Sequence, residues 1–437
     1  MNLVSDALPL SALQAFLQQR RQDSPSITSI VIALSAGPDS LALLLAAQQV
    51  APPLGFAVRA LHVHHGLHED ADSWAVQACA QAAALVLHCD VLKVNITESA
   101  NIEAQARQAR YDAMAAQLQP HEALLLAHHQ DDQAETLLLR LMRGAGLQGL
   151  TAMAEVSVWP VAGAGGLLRW RPWLDVPKQA LTTWLASQPV SHQAINDPAN
   201  NNPRFDRTLL RHQVLPLLET RWPQVNAMLA RSARQVSQQA KALNQLADLW
   251  LANHSVDLIS LPISELKTLE EVTQQAVLAR WLQHQGAPAM PVRYWSRLIQ
   301  ELFNARTDAM PELTWADVSI RRYRDTIYLL HTAQLQPLPT TGADWPDPLR
   351  PLSWAGLEWS LPISKDNLNL KARWRITARQ GGERWRPEGR TQSLTVKHWC
   401  QENGIPPWQR LRLALVWRDD EIVFLALNYG KTIKYFK

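Results

Sequence analysis

The chain has 437 residues, 47% hydrophobic and 19% charged, which suits a globular protein of two or three domains rather than one core. Cys79, Cys89 and Cys400 form no CxxC pair, which argues against a disulfide framework, a zinc ribbon or an iron–sulfur cluster. No apolar run reaches membrane-span length and no basic leader opens the chain, so a reducing, cytoplasmic setting without a membrane is expected.

The first half alternates strand-like and helical runs. Strands are expected at 29–34, 57–64, 86–91 and 123–127, with helices at 72–85 and 101–118 between them. Alternation of this kind predicts an α/β fold built on a doubly wound parallel sheet, with its ligand crevice beyond the C-terminal strand ends. Three segments fall there: the loop after residue 34, the turn from His62 to Gly66, and the stretch from His128 to Asp132.

The loop is Ser35-Ala36-Gly37-Pro38-Asp39-Ser40, between the β-branched run Ile30-Val31-Ile32 and the helical run Leu41-Ala42-Leu43-Leu44-Leu45. A strand feeding small residues into a helix N-terminus builds an anion site from backbone N–H groups and the helix dipole. Ser35 and Ser40 add hydroxyls, and Asp39 is placed to hold Mg²⁺ on phosphate oxygens. This is chemistry for binding and splitting a nucleoside triphosphate. The loop lacks the Gly-Lys-Ser/Thr ending of a Walker A motif, which disfavours a kinase or GTPase.

The segment His128-His129-Gln130-Asp131-Asp132-Gln133-Ala134-Glu135-Thr136 opens a helix that runs through Arg143. Asp132 and Glu135, three apart, share a helix face. Such a pair holds a metal, positions an amine nucleophile, or is a surface acid pair on a capped helix. His128 and His129 are adjacent and point apart, which argues against zinc. His62 and His64 share a strand face, a placement more often structural than catalytic.

Residues 196–203, Asn-Asp-Pro-Ala-Asn-Asn-Asn-Pro, read as a loop, and 204–218 regain helical periodicity. Residues 222–335 read as mostly helical and polar, notably 231–252 and 270–284. Pro337, Pro339, Pro346, Pro348 and Pro351 suggest a linker. Residues 355–437 alternate as strands around turns at Gly381-Gly382 and Asp419-Asp420. The net charge of +3 conceals an asymmetry: residues 1–150 hold eight Lys and Arg against fourteen Asp and Glu, and residues 371–437 hold fourteen against six. Trp374, Trp385, Trp399, Trp408 and Trp417 are interleaved with those cations, which suits a polyanion that offers bases for stacking. The plainer alternative is a solvated β-domain with core tryptophans.

The ordered set of motifs resembles the tRNA(Ile)-lysidine synthetase family of PP-loop ATP pyrophosphatases. It comprises the Ser35 loop, Leu61-His62-Val63-His64-His65-Gly66-Leu67, Asn101-Ile102-Glu103-Ala104-Gln105-Ala106-Arg107 through Arg110-Tyr111, and His128 to Gly144. It continues through Arg171-Pro172-Trp173-Leu174, Asp197-Pro198-Ala199-Asn200 and Phe205-Asp206-Arg207-Thr208-Leu209-Leu210-Arg211-His212. Near the C-terminus it takes in Gly381-Gly382-Glu383-Arg384, Arg386-Pro387, Gly389-Arg390, Gln401-Glu402 and Ile405-Pro406-Pro407-Trp408.

The resemblance implies a PP-loop catalytic domain at 1–218, a tRNA-contacting helical middle domain at 219–340, and a small basic, Trp-rich α/β domain for tRNA at 355–437. It implies that ATP activates the carbon-2 oxygen of the wobble cytidine of an isoleucine tRNA with a CAU anticodon, and that free L-lysine then displaces AMP. Ser35, Ala36, Gly37, Pro38, Asp39 and Ser40 would bind ATP, with Mg²⁺ on Asp39. Asp132 and Glu135 match lysine-binding positions. Arg107 and Arg110 would stabilise phosphates or the adenylated base. Arg384, Arg386, Arg390, Lys397 and Trp408 would contact tRNA, and a homodimer is the expected assembly. Three positions depart from the family pattern: Ala36 replaces a glycine, Thr208 an asparagine, and His398 a second lysine after Lys397. A thiolating relative of the same superfamily would need paired cysteines, which the chain lacks.

Overall fold

A computed structural model describes residues 7–64, 66, 68–94, 102–161, 164–189, 194–195, 206–255, 259–291, 293–306, 309–362, 372–428 and 433–437. The segments at 95–101 and 196–205, and His65 and Leu67, lie outside the described residues. The chain divides into two units, residues 1–242 and 243–437.

The first unit is built in chain order from α1 (Leu8–Asp23), β1 (Ser29–Ala33), α2 (Pro38–Val50), β2 (Ala57–His64), α3 (Ala71–Ala83), β3 (Cys89–Lys93), α4 (Ile102–Gln117) and β4 (Glu122–Leu125). There follow α5 (Gln130–Met142), β5 (Val156–Val161), β6 (Ala164–Trp170) and α6 (Lys178–Ala186). The sheet order is β3-β2-β1-β4-β6-β5. All pairings are parallel except that of β5 with β6, so an antiparallel hairpin strand caps one edge.

The strand β1 reads Ser-Ile-Val-Ile-Ala without alternation because both its faces are covered. Ile30 and Ile32 pack with Leu13 and Leu17 of α1, the apolar α2, and Leu181, Trp184 and Leu185 of α6. Val31 points the other way, into a cluster with Leu61, Tyr111, Met114 and Leu124. The chain leaves β1 for β2 and β3 on one side and later returns to β4 on the other. That switch point opens a crevice at the C-terminal ends of β1 and β4.

Most expected elements lie within a few residues of the observed ones, and β2 coincides with the expected 57–64. The strand expected at 86–91 begins instead at Cys89, because Val86 sits in a tight turn with φ 58°. The hairpin β5–β6 lies outside the expected strands.

The second unit receives the long helix α7 (Val225–His254), within which the boundary falls, then β7 (Ser260–Pro262) and α8 (Glu271–His284). A hairpin pair, β8 (Glu312–Trp315), β9 (Val318–Tyr323) and β10 (Thr326–His331), joins β7 in a four-stranded sheet ordered β7-β10-β9-β8. The middle is thus helical over the expected spans and carries a small antiparallel sheet besides. Trp281 of α8, fully buried, and Leu313, Ile320 and Ile327 of the sheet share one core.

The proline-crowded stretch expected as a linker is packed. Its strand β11 (Ala343–Asp344) pairs with β14 (Trp374–Ala378), and Leu338 and Trp345 are buried. Between them lies the hairpin β12 (Leu352–Trp354) and β13 (Leu357–Trp359). Beyond β14 come β15 (Arg384–Trp385), β16 (Leu394–Thr395), α9 (Val396–Glu402), β17 (Leu413–Arg418), β18 (Glu421–Asn428) and β19 (Ile433–Phe436). The main sheet is antiparallel, ordered β11-β14-β17-β18-β19. Its two faces bury separate cores, one with Trp345, Trp354, Trp359 and Trp374, the other with Trp385 and Trp399. Among the described residues, no helix is long and apolar enough to cross a membrane.

Candidate active site

A cleft of about 360 Å³ lies beyond the C-terminal ends of β1, β2 and β4. Its wall takes in Ser35, Gly37, Asp39 and Ser40 of the loop, His62 and His64 of β2, Trp74 of α3, Arg110 and Tyr111 of α4, and His128 and Asp132.

The loop turns at Ala36, whose φ is 63° and whose side chain is fully buried. This is the left-handed region, where a Cβ is strained by about 1–2 kcal/mol. The departure from glycine therefore falls where it is sterically felt. Gly37 caps α2 and Pro38 occupies its first turn, where a missing N–H is harmless. The two serine hydroxyls lie 3.0 Å apart; the Ser40 hydroxyl donates to Gly37 O (3.0 Å) and accepts from Ser35 N–H (3.2 Å). The hydroxyls thus brace the loop, leaving the N–H groups of the α2 N-terminus as anion donors.

The second motif meets the first through His129. It is buried at the N-cap of α5, where its backbone N–H donates to Asp132 Oδ2 (3.1 Å) and Asp132 N–H donates to Nδ1 (3.4 Å). The imidazole Nε2 lies 3.7 Å from Asp39 Oδ2 and 3.5 Å from Asp132 Oδ2. Burial alone would lower the His129 pKa, but Asp39, Asp132 and Asp131 together raise it above the ordinary value. Burial acts upward on Asp132, and His129, His128 and Arg207 outweigh it, so its carboxyl stays below the usual range.

His128 faces the cleft, and its buried Nδ1 has no partner among the described residues. Burial, with Arg171, Arg207 and Arg110 nearby, pushes its pKa down to about 3. This has a measurable consequence. Below about pH 6.5 the unfolded chain protonates His128 while the folded chain does not, so stability falls with pH by at most about 1.4 kcal/mol per unit until about pH 3. The His129 contribution has the opposite origin: its pKa is raised, so its stabilisation is fully present below about 6.5 and is lost as pH rises through the folded value. Urea denaturation between pH 6 and 4 is expected to show a shallower slope for His128→Gln than for the unmutated chain. Equal slopes would mean that His128 titrates normally.

The sequence-derived residues are not all brought together. Asp39, Asp132 and Arg110 all line the cleft, and both carboxylates lie within 4 Å of His129 Nε2. Glu135 is 1% exposed and is not part of the wall. Arg211 grips it with two bonds, Nε to Oε1 at 2.6 Å and Nη2 to Oε2 at 3.0 Å, and reaches Asp132 Oδ1 at 3.3 Å. Arg207 stands 3.8 Å from Glu135 and donates to Thr136 Oγ1. Arg107 is exposed and lies over the Tyr111 ring at 5.8 Å.

Tyr111 and Arg171, which the motifs contain without a site role, belong to the cleft and its surroundings. Tyr111, nearly fully buried, carries Arg107, Arg110 and Arg169 over its ring, at 4.9 Å for Arg169. Burial would raise its phenol pKa, but Arg110, Arg107, Arg171 and Arg169 lower it below the ordinary value. Arg171, 3% exposed, is held by Ala154 O (2.7 Å) and Ser157 Oγ (2.9 Å), and burial beside Arg169 pulls its pKa down to about 10. Of these cations Arg110 lines the cleft, while Arg107, Arg169 and Arg171 stand outside its wall, around Tyr111. The i, i+3 and i, i+4 spacing of Arg107, Arg110 and Tyr111 was the available signal.

In the C-terminal sheet region, Arg386, Arg390 and Lys397 are exposed. Arg390 pairs with Glu402 at 3.1 Å, and Arg386 lies 3.8 Å from Glu421. Arg384, also exposed, donates to Ser393 O at 2.7 Å. Trp408 departs from expectation: only 5% exposed, it packs edge-on against Tyr323 and Tyr328 under Arg321. Its ring is enclosed by the neighbouring sheet and is not presented for base stacking. Trp374, Trp385 and Trp399 are buried likewise, so the core reading of these tryptophans holds.

A parallel sheet with a braced phosphate loop at its switch point defines a PP-loop nucleotide-binding protein, and residues 10–218 match the model of the PP-loop domain. Residues 261–328 match the TilS substrate binding domain and residues 374–436 the TilS substrate C-terminal domain. Relatives named tRNA(Ile)-lysidine synthase span nearly the whole chain. One from Xanthomonas campestris pv. campestris (strain 8004) is 35% identical, covering 89% of this chain and 88% of its own. Another from Haemophilus ducreyi is 34% identical over 95% of this chain and 98% of its own, and one from Serratia proteamaculans 37% identical over 90% and 89%. The chain belongs to the tRNA(Ile)-lysidine synthase family.

Proposed function

We propose that the protein converts the wobble cytidine of an isoleucine tRNA with a CAU anticodon to lysidine, consuming ATP and free L-lysine and releasing pyrophosphate and AMP. The observation that carries this reading is the convergence on one cleft of a phosphate loop, Arg110 and the carboxylate of Asp132. The cytidine carbonyl oxygen is a poor leaving group, and bonding it to the α-phosphorus of ATP makes it a good one. Charge then builds on the departing pyrophosphate. The α2 N-terminus and Arg110 are the donors aimed at it. Asp39, a single carboxylate in a phosphate loop, suits Mg²⁺, which takes one or two carboxylates and completes its shell with phosphate oxygens and water. When bound there, the ion supplies positive charge to the phosphates.

The lysine ammonium would be held and oriented by Asp132, whose low pKa keeps it anionic, and the amine gives up its protons to solvent as it attacks carbon 2 and AMP departs. Glu135, saturated by Arg211, supports this arrangement from behind. Residues 1–218 are the catalytic part in this reading, with 219–340 and 355–437 contacting tRNA. An anticodon loop supplies an unstacked base without duplex opening.

Pyrophosphate release that requires both ATP and unmodified tRNA tests the first step. Release independent of tRNA would contradict it. The tRNA-binding cations have a separate signature. Replacing Arg386, Arg390 and Lys397 with Ala is expected to weaken tRNA binding most at low salt. The log–log salt slope should fall by about one unit for each phosphate that a removed side chain had neutralised. An unchanged slope in filter binding would remove these side chains from the interface.

A further inference from the structure

We propose that Gln81 is a positioning residue for ATP: it holds the strained Ala36 peptide in the conformation that turns the Gly37 N–H into the phosphate loop. Gln81 lies on α3, 1% exposed, and its Nε2 donates to Ala36 O at 3.1 Å. Ile195 N–H donates to the same oxygen at 2.9 Å. A trans peptide places its C=O and the following N–H on opposite sides. Fixing Ala36 O from α3 therefore aims the Gly37 N–H at the loop interior, where it meets Ser35 Oγ at 3.4 Å.

The need for such a clamp comes from the sequence. Glycine holds φ 63° without strain, but alanine does so only where surrounding bonds over-determine the backbone. Here two donors converge on one carbonyl, and the buried Ala36 methyl packs in the main core, so the penalty is met locally. Gln81 thus compensates for the missing glycine. The claim rests on the loop being the ATP-phosphate cradle.

The test is a double-mutant cycle on ATP affinity, measured by calorimetric titration of the full chain with a non-hydrolysable ATP analogue. Gln81→Met keeps the shape and removes the donor. It is expected to weaken binding about tenfold, the size of one lost hydrogen bond. Introduced into A36G, the same Q81M change is expected to weaken binding less than about threefold, because glycine needs no clamp. Circular dichroism confirms that each variant is folded, and Gln81→Leu repeats the cycle should Q81M fail to fold. An equal loss with and without A36G would overturn the proposal, as would no loss at all. Failure of the unmutated chain to bind the analogue would instead overturn the phosphate-cradle reading and the proposal with it.

Discussion

Asp39→Asn is expected to abolish pyrophosphate release, lowering turnover by about two to three orders of magnitude, while tRNA binding persists. The substitution is nearly isosteric, so the α2 N-terminus and the serine brace remain, and only the charge is lost. Removing a principal electrostatic group aimed at the departing phosphates is typically worth about 3–4 kcal/mol. The change also takes from His129 one of the three carboxylates that raise its pKa. Pyrophosphate release and tRNA gel shift, measured on the same preparation, check both halves. Near-normal release would remove Asp39 from the metal and phosphate chemistry.

Asp132→Asn is expected to raise the KM for lysine by about two orders of magnitude while leaving some adenylation, because activation precedes amine attack. Its effect should read as chemistry rather than folding: asparagine still offers an oxygen to the His129 N–H that Asp132 caps. Removal of a charge-assisted hydrogen bond to an ammonium accounts for about 2–3 kcal/mol. Glu135→Gln behaves differently. It strips Arg211 of a bidentate partner in a buried setting, so a stability loss of about 3 kcal/mol is expected alongside any loss of lysine. If Asp132→Asn binds lysine normally and fails to bind ATP, the carboxylate belongs to the phosphate and metal site.

Much of the first unit was legible because local chemistry and tertiary context agree there. β1 and β2 are buried by the same apolar residues that mark them as strands, and the loop must turn where small residues follow a buried strand. The strain at Ala36 followed from chirality once the loop was placed. The hairpin β5–β6 escaped notice because its glycines and tryptophan obscure alternation, and its place at the sheet edge is set by pairing with β4. The grip of Arg211 on Glu135 joins residues 76 apart, and no local pattern announces it. Proline density suggested a linker, yet Trp345 within that stretch is 2% exposed, since a large indole is buried wherever a sheet offers cover. Trp408 misled for the same reason: an aromatic among cations reads as a stacking platform until the neighbouring sheet is seen to enclose it.

The most direct test of lysidine formation is to incubate the protein with ATP, isotopically labelled lysine and unmodified isoleucine tRNA bearing a CAU anticodon, then digest the tRNA and analyse its nucleosides by mass spectrometry. One labelled lysidine is expected to replace one cytidine at the wobble position, with AMP and pyrophosphate formed in equal amounts. Intact cytidine after full ATP-dependent reaction, or label recovered anywhere other than the wobble base, would contradict it.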